Sequence, residues 1–135
     1  MLRVVLDTNV LVSGLLSETG PPARIVDLWA GGEIVAVTDP RIEREYRDVL
    51  ARPSLRLDAT AVDEVLDLLE YAEQVVALPL PFRLPDADDE PFLEVAVAAA
   101  ADALVTGNVR HFSVPRVRLP VAVLTPRQFM ERLRG

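Results

Sequence analysis

The sequence predicts an α/β domain: a central, mainly parallel sheet of about five strands with helices on both faces, one domain over residues 1–135. Three observations carry this. Short apolar, often β-branched runs alternate with segments whose apolar residues recur at helical spacing. Several runs end in a polar residue and a turn or cap signal, as in Leu6-Asp7-Thr8, Val37-Thr38-Asp39-Pro40 and Val105-Thr106-Gly107. A chain of 135 residues can bury one core and is short for two.

Leu2 to Leu6 is an apolar run that stops at Asp7 and reads as a buried strand. Val10 to Leu16 is a second apolar stretch, too long to continue that strand, so Asp7-Thr8-Asn9 marks a sharp turn into a helix. Gly20-Pro21-Pro22 punctuates the chain before a helix over Ala23 to Ala30, which Gly31-Gly32 stops. Trp29 on that helix, beside Ile25, Val26 and Leu28, is expected in the core, with a protein–protein interface as the alternative. Glu33 to Thr38 is a β-branched strand. Asp39-Pro40 caps the next helix, in which Ile42, Tyr46, Val49 and Leu50 recur at helical spacing until Pro53. A further helix begins at Thr60, with Val62, Val65, Leu66, Leu69 and Ala72 as one stripe.

Val75 to Leu78 reads as a brief strand. Residues 79–91, with prolines at 79, 81, 85 and 91 and a dense acidic group, read as a loop. Phe92 to Ala101 is an alanine-rich buried helix, Ala103 to Thr106 a strand closed by Gly107-Asn108, and Val121 to Leu124 the last strand. Thr125-Pro126 caps a final helix with Phe129, Met130 and Leu133 on its apolar face. Internal repeats and linkers are absent.

Composition removes several chemistries. Without cysteine there is no disulfide scaffold, zinc-thiolate site, iron–sulfur cluster or thiol nucleophile. All 14 basic residues other than the single histidine are arginine. The missing lysine, a usual mark of a GC-rich genome, excludes a P-loop lysine, Schiff-base chemistry and a lysine general base. It also argues against receiver domains and dehalogenase-type phosphatases, whose acid clusters a lysine commonly completes. The net charge of -7 argues against a passive nucleic-acid binder held by a basic patch, but not against an enzyme that reaches phosphates through cations. Asp7 interrupts the N-terminal apolar stretch, so no secretory signal is legible there. Glu94 and Asp102 interrupt the longest apolar run, Phe92 to Val105. The expectation is a cytoplasmic protein with no membrane partner.

In doubly wound sheets, ligands sit beyond the carboxyl ends of the strands. That rule singles out Asp7, Thr38-Asp39 and Thr106 to Asn108. Asp7 could equally be a helix cap. Asp86, Asp88, Asp89 and Glu90 are four acids in five residues ahead of a buried helix. One or two suffice to complement a helix N-terminus, an effect of roughly 0.3–1 kcal/mol. Four repel one another unless a cation relieves them, although a solvated acidic loop would look the same. Glu43 and Glu45 flank the apolar stripe of their helix on opposite sides, so periodicity leaves open which of them faces Asp7. Carboxylates gathered on one rim with no lysine to balance them point to a divalent ion, for which hard magnesium-like cations are suited.

These segments resemble the PIN-domain family, in particular the VapC-like toxins of toxin–antitoxin systems, and the resemblance runs nearly the whole chain. Asp7-Thr8-Asn9-Val10-Leu11-Val12-Ser13 is similar to the family's "DTNVLVSAL" opening. Glu45 to Pro53 resembles its helix with the second acid and an Arg-Pro stop. Asp86-Ala87-Asp88-Asp89-Glu90-Pro91-Phe92-Leu93 resembles its "DPDDxxFL" segment. Ala101 to Asn108 resembles "ADxLVTGD" or "ADxLVTGN".

The resemblance implies a single PIN-like, three-layer domain and a ribonuclease dependent on Mg2+ or Mn2+. Asp7, Glu45 and Asp89 become its metal-binding and catalytic acids, and Asn9 and Thr106 polar supports. Asp86 and Asp88 become outer ligands. The family's fourth acid falls at Asn108, which offers an oxygen without charge, so a second metal should bind weakly. Asp102, at the far end of its strand, takes a structural role. Arg110 and His111 are candidate RNA contacts, with simple packing of Phe112 the alternative role of this segment and catalysis by His111 the weaker expectation. The implied partners are RNA, a small cognate antitoxin that covers the acidic site, and a second copy of the chain in a homodimer. Two other readings stand beside this one: a catalytically weak PIN-like module that binds RNA or protein, and a phosphohydrolase of small phosphate esters.

Overall fold

The computed structural model describes all 135 residues and places five strands in one parallel sheet with six α-helices around it. The strands are β1 (Leu2–Leu6), β2 (Ile34–Thr38), β3 (Glu73–Gln74), β4 (Ala103–Val105) and β5 (Val123–Leu124). The helices are α1 (Thr8–Leu16), α2 (Pro21–Ala30), α3 (Pro40–Leu50), α4 (Ala59–Asp67), α5 (Glu90–Ala98) and α6 (Pro126–Arg134). The strand order is β3-β2-β1-β4-β5, and every pairing is parallel. The α/β class, the parallel sheet and its five strands are therefore as the sequence predicts.

Val4, Val5 and Leu6 are consecutive and fully buried, as are Ala103, Leu104 and Val105. Residues on both sides of the pleat are covered, so helices close both faces of the sheet. α5 lies across β1, β2 and β4, while α2 and α6 pack on each other and reach β2, β4 and β5. Trp29 is buried in the core as expected. α1 and α2 meet at Gly14, where a Cβ would lie 2.8 Å from Val26 Cγ2 and 2.9 Å from the Pro22 carbonyl oxygen. Only glycine permits that approach.

Most boundaries fall within a residue or two of the sequence expectation. α2 begins at Pro21, with both prolines in its first turn, where a missing N–H costs nothing. α3 is capped by Asp39, whose carboxylate accepts from the amides of Arg41 and Ile42. α6 carries a full capping box between Thr125 and Gln128. The helix that follows the acidic loop starts at Glu90 rather than Phe92, after a 3-10 turn over Ala87–Asp89, with Pro91 in its first turn. The helix opened near Thr60 ends as α-helix at Asp67 and tightens into a 3-10 turn over Leu68–Tyr71.

The strand expected at Val75 to Leu78 is a correction. β3 is only Glu73–Gln74, paired to Val37 and Thr38 of β2, with one further bond from the Val75 amide to the Thr38 carbonyl. β2 stops at Thr38 because Asp39 caps α3, so nothing remains for Val76 or Leu78 to pair with. Both are exposed, at 94% and 78%.

Tyr46 on α3 is fully buried and donates from its hydroxyl to the carbonyl of Leu6, 2.5 Å away. This bond fixes α3 against the last residue of β1. Tyr46→Phe is expected to cost about 1 kcal/mol in urea-unfolding free energy, because it strands the Leu6 carbonyl without changing the packed ring; an unchanged midpoint would show that the bond contributes nothing.

Candidate active site

The chain runs from β1 to β2 to β3 on one side of the sheet and then returns to place β4 on the other side of β1. The order therefore switches beside β1, and the carboxyl ends of β1 and β4 open on the same rim. Asp7 is the residue after β1. Its amide continues the ladder to the Val105 carbonyl at 2.9 Å. Its side chain makes no N-cap hydrogen bond to α1. Instead Asp7 Oδ2 accepts from the Thr106 hydroxyl at 2.8 Å and from the Asn9 amide at 3.3 Å. Asn9 in turn accepts from the Gly107 amide at 3.0 Å, so the residues after β1 and β4 hold one another. Burial pushes Asp7 above its ordinary range, opposed first by the Thr106 hydrogen bond.

The choice between Glu43 and Glu45, open on periodicity, is decided by the structure. Glu45 turns to the β1 end and accepts from the Thr8 hydroxyl. Its carboxyl is pushed up by partial burial, and by the negative charges of Asp7 and Asp88 against the Thr8 bond. Glu43 turns away, held by the Thr38 hydroxyl at 2.9 Å and the Gln74 amide at 2.5 Å.

Asp89 reaches the rim from the 3-10 turn that leads into α5. Its carboxyl is pushed up to about 6 by burial and by the charges of Asp7, Asp86 and Glu45, with His111 opposing. Asp89 Oδ2 is buried and accepts no hydrogen bond. Asp86 and Asp88 are exposed, and Asp86 accepts from the Asp88 amide at 2.9 Å, which shapes the turn. Asp102 lies away from the rim and accepts from the Arg3 amide at 2.8 Å, the structural role expected of it.

The acids of the rim differ from the other buried acids. Asp39 and Glu94 share Arg41, at 2.8 and 2.7 Å, and Glu90 faces Arg83 at 3.3 Å. Asp7 and Glu45 form no ion pair, and the one basic side chain at Asp89 is His111, with Nδ1 at 3.5 Å. Arg3, Arg41 and Arg83 pair with acids elsewhere, and the rim keeps uncompensated charge. An orphaned buried carboxylate oxygen and an all-oxygen set of acids fit a hard divalent cation. As the side chains stand, no three Asp, Glu or His residues are arranged to enclose one.

Asn108 and His111 were the least legible positions. Asn108 follows Thr106, whose hydroxyl accepts from the Asn108 amide at 3.0 Å, and its side chain pairs with His111 rather than with an acid. His111 sits in a 3-10 turn, Val109–Phe112, that no helical or strand periodicity announces. Phe112 is buried, and Arg110 is exposed. No helix of the protein is long and apolar enough to cross a membrane.

A family model described as PIN domain matches residues 3–110. An uncharacterised protein of Methanocaldococcus jannaschii is 29% identical over 143 residues, covering 96% of this chain and 90% of that relative.

Asp89 has a consequence for stability. Its folded pKa of about 6 lies above its ordinary 3.8, so the stability it contributes is fully present below the lower value and is lost as pH rises through the higher. Asp89→Asn is expected to raise the Tm of the metal-free protein by about 2–5 °C near pH 8 and to leave it unchanged near pH 4. An equal shift at both pH values, or a loss near pH 8, would overturn this account of the carboxyl.

Proposed function

The chain belongs to the PIN-domain family, whose members are generally nucleases, and from that premise we propose that it is a metal-dependent endoribonuclease, the toxin of a toxin–antitoxin pair. The observation that carries the reading is the set of uncompensated rim carboxylates, Asp7, Glu45 and Asp89, with Asp89 Oδ2 buried and unbonded. These three residues would hold Mg2+ or Mn2+, with Asp86 and Asp88 as outer ligands and Asn108 as a neutral oxygen donor. When bound, the ion supplies Lewis acidity that lowers the pKa of water and neutralises charge at the scissile phosphate.

The chain's own residues do the rest. Thr106 and Asn9 fix the Asp7 carboxylate, and Thr8 fixes Glu45. Asp89, at the same rim, accepts the proton of the attacking water as the oxygen–phosphorus bond forms and the opposite phosphorus–oxygen bond breaks, the leaving oxygen taking a proton from solvent. Exposed arginines such as Arg110 bind phosphate through their planar fork.

The same reading takes RNA as substrate, a second copy of the chain as dimer partner and a cognate antitoxin as inhibitor, in the cytoplasm.

A second reading has one observation in its favour. Asn108 stands where an acid would complete the set and is engaged by His111. A catalytically weak module that binds RNA or protein would keep the fold with this site.

Purified protein incubated with total RNA and Mg2+, Mn2+ or EDTA, with cut sites mapped, separates the readings. Cleavage is expected with either ion and not with EDTA, and Asp7→Asn is expected to abolish it at unchanged Tm. Full, EDTA-resistant cleavage by Asp7→Asn would sink the mechanism; Mn2+ that neither stabilises the protein nor supports cleavage would favour the binding module.

A further inference from the structure

His111 is the single histidine of the chain and sits in the 3-10 turn that follows β4. Phe112 is buried beside it, and the His111 amide donates to the Asn108 carbonyl at 3.1 Å, closing the turn. From that turn Nδ1 points at Asp89 Oδ2 at 3.5 Å, and Nε2 meets the Asn108 amide at 2.9 Å. The two contacts use both ring nitrogens.

The 3.5 Å separation is informative. A hydrogen bond between an imidazole and a carboxylate closes to about 2.7–2.9 Å. Here the carboxylate oxygen is buried, free of other donors and still unbonded. Two neighbouring ligands of an octahedral divalent ion, each about 2.0–2.2 Å from it, stand about 2.8–3.1 Å apart. The pair is too wide for the hydrogen bond, and a shift of about half an ångström brings the two atoms to the spacing of shared ligands.

Asn108 completes the arrangement. With Nδ2 toward the ring, the amide donates to Nε2, and Nδ1 carries the proton that faces Asp89. A half-turn of the amide is nearly isosteric and presents Oδ1 instead. Nε2–H then donates to that carbonyl, and the Nδ1 lone pair faces Asp89 Oδ2. A second partner that holds the far N–H is the usual support of a metal-ligating histidine.

Resting on the nuclease reading above, we propose that His111 Nδ1 and Asp89 Oδ2 are paired ligands of the site's divalent ion, with Asn108 as the residue that positions the imidazole. The neutral nitrogen occupies the quarter left without charge by Asn108. It also sets the preference of the site. Imidazole suits Mn2+ and later first-row ions, while Mg2+ keeps to oxygen. The site therefore selects Mn2+ over Mg2+.

The test is Mn2+ binding to the full chain freed of any histidine tag, read by calorimetry and by pulsed electron paramagnetic resonance. With one histidine in the chain, imidazole-type nitrogen coupling to bound Mn2+ can come only from His111. The coupling is expected in the wild type and absent from His111→Ala and His111→Gln. Mn2+ affinity should fall about tenfold or more in both variants while Mg2+ affinity changes less than about twofold. The side chain is 52% exposed, so both variants should fold, and unchanged Tm checks this. Mn2+ bound with no nitrogen coupling and equal affinity in His111→Ala overturns this inference alone; no Mn2+ binding by the wild type overturns the metal-dependent nuclease reading with it.

Discussion

The pairing of β4 against β1 is the contact on which the rest depends. Val4, Val5 and Leu6 lie in register with Ala103, Leu104 and Val105, and the ladder runs on through the Asp7 amide to the Val105 carbonyl. Because the strands are parallel, their ends face the same way, and residues separated by 99 positions become neighbours at Asp7 and Thr106. β4 pairs here, rather than beyond β3, because the crossing chain, with α5, passes over β1 and β2. Asp89 at the start of α5 and His111 in the turn after β4 are delivered to the same rim by that one crossover.

The distribution of charge follows from the same geometry. A chain of net charge -7 must leave some acids without basic partners, and the fold decides which. Arg41, Arg83 and Arg3 meet Asp39 and Glu94, Glu90, and Glu73, all acids that fasten one element to another. A buried charge without its partner is destabilising, and the buried acids among these, Asp39, Glu90 and Glu94, each keep one. At the rim the supports are hydroxyls and amides, which orient carboxylates but do not neutralise them. The result is a site whose acids hold protons more tightly than usual and whose stability is sacrificed for ligand binding. On the proposed reading, the negative charge that argued against nucleic acid would, at this rim, admit one through a cation.

Legibility varied with how local the signal was. α3 and α6 could be read almost to the residue, because cap, proline and apolar period all lie within the element. β3 could not. Val75 to Leu78 has the composition of a buried strand, but a strand exists only where a neighbour still offers its edge, and β2 has already turned into α3. Glu43 and Glu45 show the same limit on a smaller scale. Both flank one stripe, and only the Thr8 hydroxyl and the Thr38–Gln74 pair, brought from other strands, distinguish them. His111 was least readable of all, since its significance is a 3.5 Å approach to a residue on another element.

What the sequence by itself determined is the strand–helix alternation, the parallel sheet, the caps, the place of Asp7 at a strand end and the exclusion of thiol and lysine chemistry. Each of these rests on neighbours within a few positions or on the plain absence of a residue type. Only the tertiary structure decided the strand order, the length of β3, the facing of Glu45, the orphaned oxygen of Asp89 and the pairing of His111 with it. Those depend on distances between residues far apart in the chain, and they become definite only when the crossover brings β4 beside β1.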